Sequence, residues 1–325
     1  MKAALFVALA CLATTFVAVW LRHARAVTRD RSRAADTADT MGDGPVHPRA
    51  EGFWPDRTLV AVGAVTNFFD TLGIGSFATT TALFRLKRLV PDRLLPGTLN
   101  VGHTPPAVLQ AFIFIAIIAV DVRTLALLIG AAVAGAWFGA GYVARWPRRT
   151  VLAAMGSALL AAAALMTATQ LQLVPGGGDA LGLAGGRLAV GLAGSAVLGA
   201  LMTMGIGYYG PCMVLVALLG MNPTAAFPIM MGACAFLMPV AGTRFVRANA
   251  YDVRASLGLT LGGIPAVLVA AFLVKSLPLG VVRWLVVVVV LYTAASMLAA
   301  ARRAPRSVAG AAASAAGASA ADLPA

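Results

Sequence analysis

The sequence predicts an all-α polytopic membrane protein, and three observations carry that prediction. Apolar residues make up 60% of the 325 positions and charged residues only 11%, against about 45–50% and about 25% in soluble domains. Several stretches run for about 18 residues or more without a charge, long enough to cross about 30 Å of hydrocarbon, and the mean hydropathy is +0.87. Third, the glycine-containing run Thr71, Leu72, Gly73, Ile74, Gly75 returns 132 positions later as Thr203, Met204, Gly205, Ile206, Gly207. Two glycines in three residues weaken a helix, so each run marks a break in the middle of an apolar block. The expected fold has two duplicated, inverted repeats of four segments each. The first segment of each repeat is a broken or re-entrant helix, and an N-terminal anchor helix precedes them.

These observations also exclude classes. A soluble helical bundle would need polar faces that these segments lack. The formal charge of +13 does not point to nucleic acid, because the basic residues fall in short clusters between apolar blocks. That is the pattern of cytoplasmic loops. Cys11, Cys212 and Cys234 all lie in apolar stretches without metal-ligand spacing or a disulfide framework. His23, His47 and His103 are too few and too scattered for metal or haem. No cofactor and no metal is expected.

Residues 1–21 read as a transmembrane anchor. Arg22, Arg25, Arg29, Arg31 and Arg33 follow it, which is the wrong side for a secretory signal. A retained anchor with its N-terminus outside is expected, followed by a polar cytoplasmic linker over 22–57 that is poorly ordered. Eight apolar blocks come next: 58–84, 98–119, 124–144, 150–171, 188–219, 226–243, 256–274 and 280–300. They group as a first repeat over 58–171, a connecting loop over 172–187 and a second repeat over 188–300. The Ala-, Ser- and Gly-rich tail over 301–325 reads as disordered.

The two sets of four blocks resemble each other. At the offset of the glycine runs, Pro91 matches Pro223, Pro96 matches Pro228 and Gly130 matches Gly262; Asp121, Val122, Arg123 recur one position out of step as Asp252, Val253, Arg254. Single coincidences of this kind are weak, but their shared order indicates duplication, a feature of secondary transporters. Charge decides the topology. If blocks 58–84 and 188–219 each dip in and return, 20 of the 25 Lys and Arg fall on one side; if both cross, the split is 15 to 10. The positive-inside rule favours the first arrangement. Each arm is then about ten residues, or about 15 Å of helix, half a bilayer. One long tilted helix with tolerated glycines is the competing reading.

A broken helix exposes backbone N–H groups that lipid does not tolerate bare, so it lines a cavity or holds a ligand. Helix N-termini suit anions. The candidate substrate-binding residues are therefore Asn67, Thr71, Gly73, Gly75 and Ser76 at the first tip, and Thr203, Gly205, Gly207, Tyr208 and Tyr209 at the second. Asn100 and Gln110, in the proline-marked block with His103, Thr104, Pro105 and Pro106, complete the set; interhelical hydrogen bonding is the commoner use of such residues. Asp70 is the ionisable residue well inside the tip blocks and the candidate for proton coupling; capping of the following half-helix is the alternative. Its counterpart at the second tip is Met202. Met230, Met231, Gly232 and Cys234 read as soft packing around a small cavity. Asp70, Ser76 and His103 are nominally a protease set, but their spacing gives it no support.

The run Asp70 to Phe77, then Pro91, Asp92 and the run Leu95 to Gly102 (Leu, Pro, Gly, Thr, Leu, Asn, Val, Gly), resemble the sulfite exporter TauE/SafE family of membrane permeases. Gly205, Ile206, Gly207 and the Pro223 to Pro228 region fit that family's second repeat. The resemblance spans residues 58–300. It implies a bacterial inner-membrane permease of two similar halves that moves small sulfur-containing or carboxylate anions, often outward: sulfite, organosulfonates or sulfoacetate. Many members carry three successive glycines at the first tip, where Ser76 and Phe77 stand here.

The reading at this level is a multi-pass permease of the inner (plasma) membrane that is not an enzyme and exports a small anion by alternating access. A non-transporting scaffold or accessory subunit and an anion channel are the alternatives. Its partners are the small anionic substrate and the lipid bilayer, with no nucleic acid; homo-oligomerisation is left open.

Overall fold

The computed structural model describes residues 2–40, 54–91, 94–143, 148–171, 173, 178–202, 208–276 and 279–303. These residues are almost entirely helical: α1 (Lys2–Thr40), α2 (Arg57–Thr71), α3 (Ser76–Leu86), α4 (Leu95–Ile117), α5 (Val122–Val143), α6 (Arg148–Gln170), α7 (Gly185–Met202), α8 (Tyr209–Leu218), α9 (Ala226–Arg247), α10 (Val253–Ser276) and α11 (Leu279–Arg303). A short 3₁₀ turn, Pro223–Ala225, leads into α9. Helices α2 to α11 follow the eight apolar blocks, with both glycine-marked blocks divided in two. Most run a few residues beyond their block, because a helix continues through flanking polar residues that an apolar count leaves out.

The N-terminal helix departs from expectation. Instead of ending near residue 21, α1 continues to Thr40, through half of the expected linker. No Gly or Pro interrupts residues 2–40; Gly42 and Pro45 come just after. Residues 41–53, and the tail from 304 onward, lie outside the described residues.

Five helical stretches are long and apolar enough to cross a membrane: Lys2–Val27, Leu95–Ile117, Gly185–Met202, Pro223–Arg247 and Val253–Leu273. Their outward faces are apolar too. On α10, Leu268, Val269 and Phe272 are 53%, 63% and 76% exposed. Large apolar side chains on an outer surface suit lipid, not water. The protein is therefore described as a multi-pass membrane protein.

Helix pairs set the interior. α2 packs on α10, α5 on α7, α4 on α9 and α6 on α11. The α2–α10 and α5–α7 crossings are close because Gly63, Gly258 and Gly262 on one pair, and Gly135 and Gly199 on the other, sit against the partner backbone. α4 and α9 run antiparallel: Phe114 stacks on Phe227 at 5.5 Å, while Gly97 meets Phe245 and Ala250 at the other end. Pro106 has no N–H for the Gly102 carbonyl. The Thr260 hydroxyl of α10 donates to that oxygen instead, at 2.8 Å, so α4 stays helical through Pro105 and Pro106.

Both ends of the bundle are fastened by capping residues. Asp56 caps α2 through the Leu59 N–H (2.8 Å) and pairs with Arg254 (3.6 Å). Asp252 caps α10 through the Ala255 N–H (2.7 Å). At the opposite end Asp121 caps α5 through the Thr124 N–H (2.8 Å), and the Thr124 hydroxyl accepts from the Leu183 N–H (3.0 Å).

Candidate functional site: a buried carboxylate between two helix breaks

The first break is built by its glycines. α2 ends in a Schellman motif, with the Gly73 N–H donating to the Asp70 carbonyl (2.8 Å) and the Ile74 N–H to the Phe69 carbonyl (3.1 Å). Gly73 has φ +98° and Gly75 φ +86°, backbone that favours glycine. A side chain at Gly73 would also collide with the end of Met213 from α8. Among the described residues, chain neighbours aside, no atom lies within 4 Å of where a Cβ on Gly75 would stand. Thus the first glycine is tightly packed and the second borders open space.

The chain then reverses. His103 on α4 meets both arms, with Nδ1 3.0 Å from the Asn67 side-chain oxygen and Nε2 3.0 Å from the Thr80 hydroxyl. Thirteen residues of uninterrupted helix would hold Asn67 and Thr80 about 20 Å apart, too far for one ring to join. Leu59 and Val62 near the start of α2 share a core cluster with Phe84 near the end of α3, as antiparallel arms require. The proton positions follow from the partners. Asn67 Nδ2 donates to the Gly63 carbonyl (2.8 Å), so its oxygen accepts from His103 Nδ1–H. In the neutral ring Nε2 then accepts from the Thr80 hydroxyl.

Asp70 lies at the end of α2 and is 4% exposed. Its Oδ1 accepts from the Ser76 backbone N–H at 2.6 Å, so it caps α3 from across the break. Its Oδ2 accepts from Gln110 Nε2 at 3.0 Å; the Tyr209 hydroxyl, 3.4 Å from Oδ2 and 3.4 Å from Gln110 Oε1, shares its one proton between the two. Gln110 also donates to the Thr71 hydroxyl at 2.9 Å. Thr71 in turn donates to the Asn67 carbonyl at 2.7 Å. Three donors from three elements thus surround one carboxylate. No ion pair to Asp70 occurs among the described residues.

α7 and α8 also lie against each other. Gly194 of α7 packs on Leu215 of α8, and Gly191 on Leu219, an antiparallel pair. Thr203, Gly205 and Gly207 lie outside the described residues. Tyr208 and Tyr209 begin α8. Tyr209 reaches Asp70, whereas the Tyr208 hydroxyl and Ser195 Oγ are buried without a hydrogen-bond partner among the described residues.

Of the expected site residues, Asn67, Asp70, Thr71, Ser76, Gln110 and Tyr209 are brought into one network, with Gly73 and Gly75 shaping it. Asn100 is not. Its amide donates back to the Pro96 carbonyl (2.8 Å), and its ten-residue separation from Gln110 amounts to about 15 Å along α4. Met230 and Cys234 are packed as expected, and the Cys234 thiol meets Met202 Sδ at 3.9 Å. His103 bonds Asn67 and Thr80 rather than Ser76, so no Ser–His pair forms. Sequence reasoning missed His103 and Thr80 as clamps of the first break; a histidine in an uncharged block was the available signal. No protein-family model, curated protein or solved structure matches the chain.

Proposed function

We propose that this protein is a secondary permease that exports a small anion by alternating access. The observation that carries the reading is the meeting of the α2–α3 break and the start of α8 at one buried carboxylate that has no ion pair among the described residues. Broken helices at mid-membrane depth mark substrate and coupling sites in transporters, and an ionisable residue there is a functional candidate by default.

The packing supports two duplicated, inverted halves. Exchange α2 with α7, α3 with α8, α4 with α9, α5 with α10 and α6 with α11, and the four principal helix pairs map onto themselves. Asp121 and Asp252, one position out of step between the halves, both cap the same element, α5 and α10. Since α4 and α9 are equivalent under the exchange and antiparallel, the halves are inverted. The two hairpins are then re-entrant from opposite faces. Arg57, Arg85, Lys87, Arg88, Arg244, Arg247 and Arg254 gather at the end where Asp56 and Asp252 cap their helices, and the positive-inside rule makes that end cytoplasmic.

The cargo is a small anion held without Lys or Arg, by backbone N–H, amide and hydroxyl donors, which favours release. Sulfite, organosulfonates and related sulfur-containing anions are the class that the TauE/SafE resemblance suggests, with the inner membrane as the location. Asp70 carries the coupled proton. Purified protein in vesicles, given sulfite, sulfonates and carboxylates, should show saturable flux that responds to a proton gradient, and Asp70→Asn should abolish the proton-coupled component. Absence of flux for every anion would favour a scaffold or accessory subunit, and flux that never saturates a channel.

A further inference from the structure

We infer that the Asp70 carboxylate is a tethered stand-in for the cargo: it occupies the donor set that the free anion binds and leaves it only on protonation. The inference rests on the anion-permease reading and says how the proton is coupled. Four observations converge on it. The carboxylate takes the first backbone N–H of α3, where an incoming anion would be drawn. Its other oxygen takes the Gln110 amide and the Tyr209 hydroxyl. All three partners donate, and no cation among the described residues balances the charge. Beside the Ser76 N–H, no atom of the described residues beyond the chain neighbours lies within 4 Å of a Cβ built on Gly75, which leaves room there for a competitor.

Three converging donors match the three oxygens of a sulfonate or sulfite at least as well as the two of a carboxylate. Two negative charges in one buried site repel strongly, so a second anion enters only if Asp70 is neutral. One proton is therefore taken up with each monoanion bound, so the loaded step is electroneutral and export runs on the anion's own outward gradient. Among the described residues, the other titratable groups facing this site are Tyr209 on α8, Cys234 on α9 and His103 on α4, which reaches it through Asn67. His103 has both nitrogens engaged with neutral partners. Tyr209 and Cys234 are neutral donors across the working range.

The test uses the full chain in detergent and methanesulfonate as the probe, a strong-acid anion whose own charge does not change over the range. In weakly buffered solution, binding to the wild-type protein is expected to take up about one proton per anion. Its affinity is expected to weaken about tenfold per pH unit once Asp70 is ionised. Asp70→Asn is expected to lose both the proton uptake and the pH slope. Binding by the wild type without proton uptake, or an unchanged slope in Asp70→Asn, would overturn the inference while leaving the permease reading intact. Failure of the wild type to bind or move any of the anions would overturn the permease reading and this inference with it. Proton uptake is read on the wild type, so the test stands even where Asp70→Asn does not fold.

Discussion

At the scale of the residue, each side of the Asp70 site has a separate physical job. Gln110 is wholly buried and donates to both Asp70 and Thr71. Gln110→Leu keeps the volume but removes both bonds and leaves a buried carboxylate short of a donor. The expected cost is about 1–3 kcal/mol, read as a lowered unfolding midpoint in detergent. The two glycines of the break should respond unequally although both have positive φ. Gly73→Ala meets the backbone strain and Met213, whereas Gly75→Ala, at φ +86° and ψ 128°, meets only the strain, of about 1–3 kcal/mol. Gly73→Ala should therefore be the more destabilised, and Met213→Ala should recover part of its loss; equal midpoints for the two glycine variants would contradict this packing. Much of the site was legible at this scale. Asp70, Thr71, Gln110 and Tyr209 stood out because polar residues are rare in these blocks. Asn100 stood out for the same reason, yet only the fold shows its amide turned back on its own helix.

At the scale of the element, helix ends and helix defects were partly readable. The first glycine run announced the break between α2 and α3, whereas Asp121 and Asp252, read in sequence only as part of a recurring Asp-Val-Arg run, prove to cap α5 and α10. The Asp121 carboxyl lies outside the spanning segments and is held below the usual carboxylate range, chiefly by the Thr124 N–H and then by the Thr124 hydroxyl. A depressed folded-state pKa contributes stability that is present above the unfolded value and lost as pH falls through the folded one. Stability should therefore decline on acidification below the ordinary carboxylate range, and Asp121→Ala, at a cost of about 0.5–2 kcal/mol near neutral pH, should flatten that decline. The tandem prolines of α4 were ambiguous in sequence between a kink and a start. Thr260, over 150 positions away, settles it by serving the carbonyl that Pro106 leaves free. Thr260→Val is isosteric and should cost about 0.6–1.7 kcal/mol in thermal unfolding, the range for hydrogen bonds between membrane helices.

At the scale of the whole molecule, one end of the bundle is basic and the other is not. A cysteine placed at Arg88, which is exposed at the basic end, should react with an impermeant thiol reagent only from the cytoplasmic side. One placed at Arg187, exposed at the opposite end, should react only from outside; both should be tested with Cys11 replaced, since that thiol is exposed. Reversed labelling would overturn the orientation. Composition alone determined that this chain lives in a membrane, because apolar surface of this extent cannot face water. Glycine spacing determined where α2 gives way to α3, because φ above zero at Gly73 and Gly75 excludes most side chains. Which residues meet across those breaks was decided only by the tertiary structure. The partners that complete the Asp70 site, Gln110 and Tyr209, lie 40 and 139 positions away. The packing of α2 on α10, α4 on α9 and α7 on α5 is set by the tertiary fold, which no local pattern encodes.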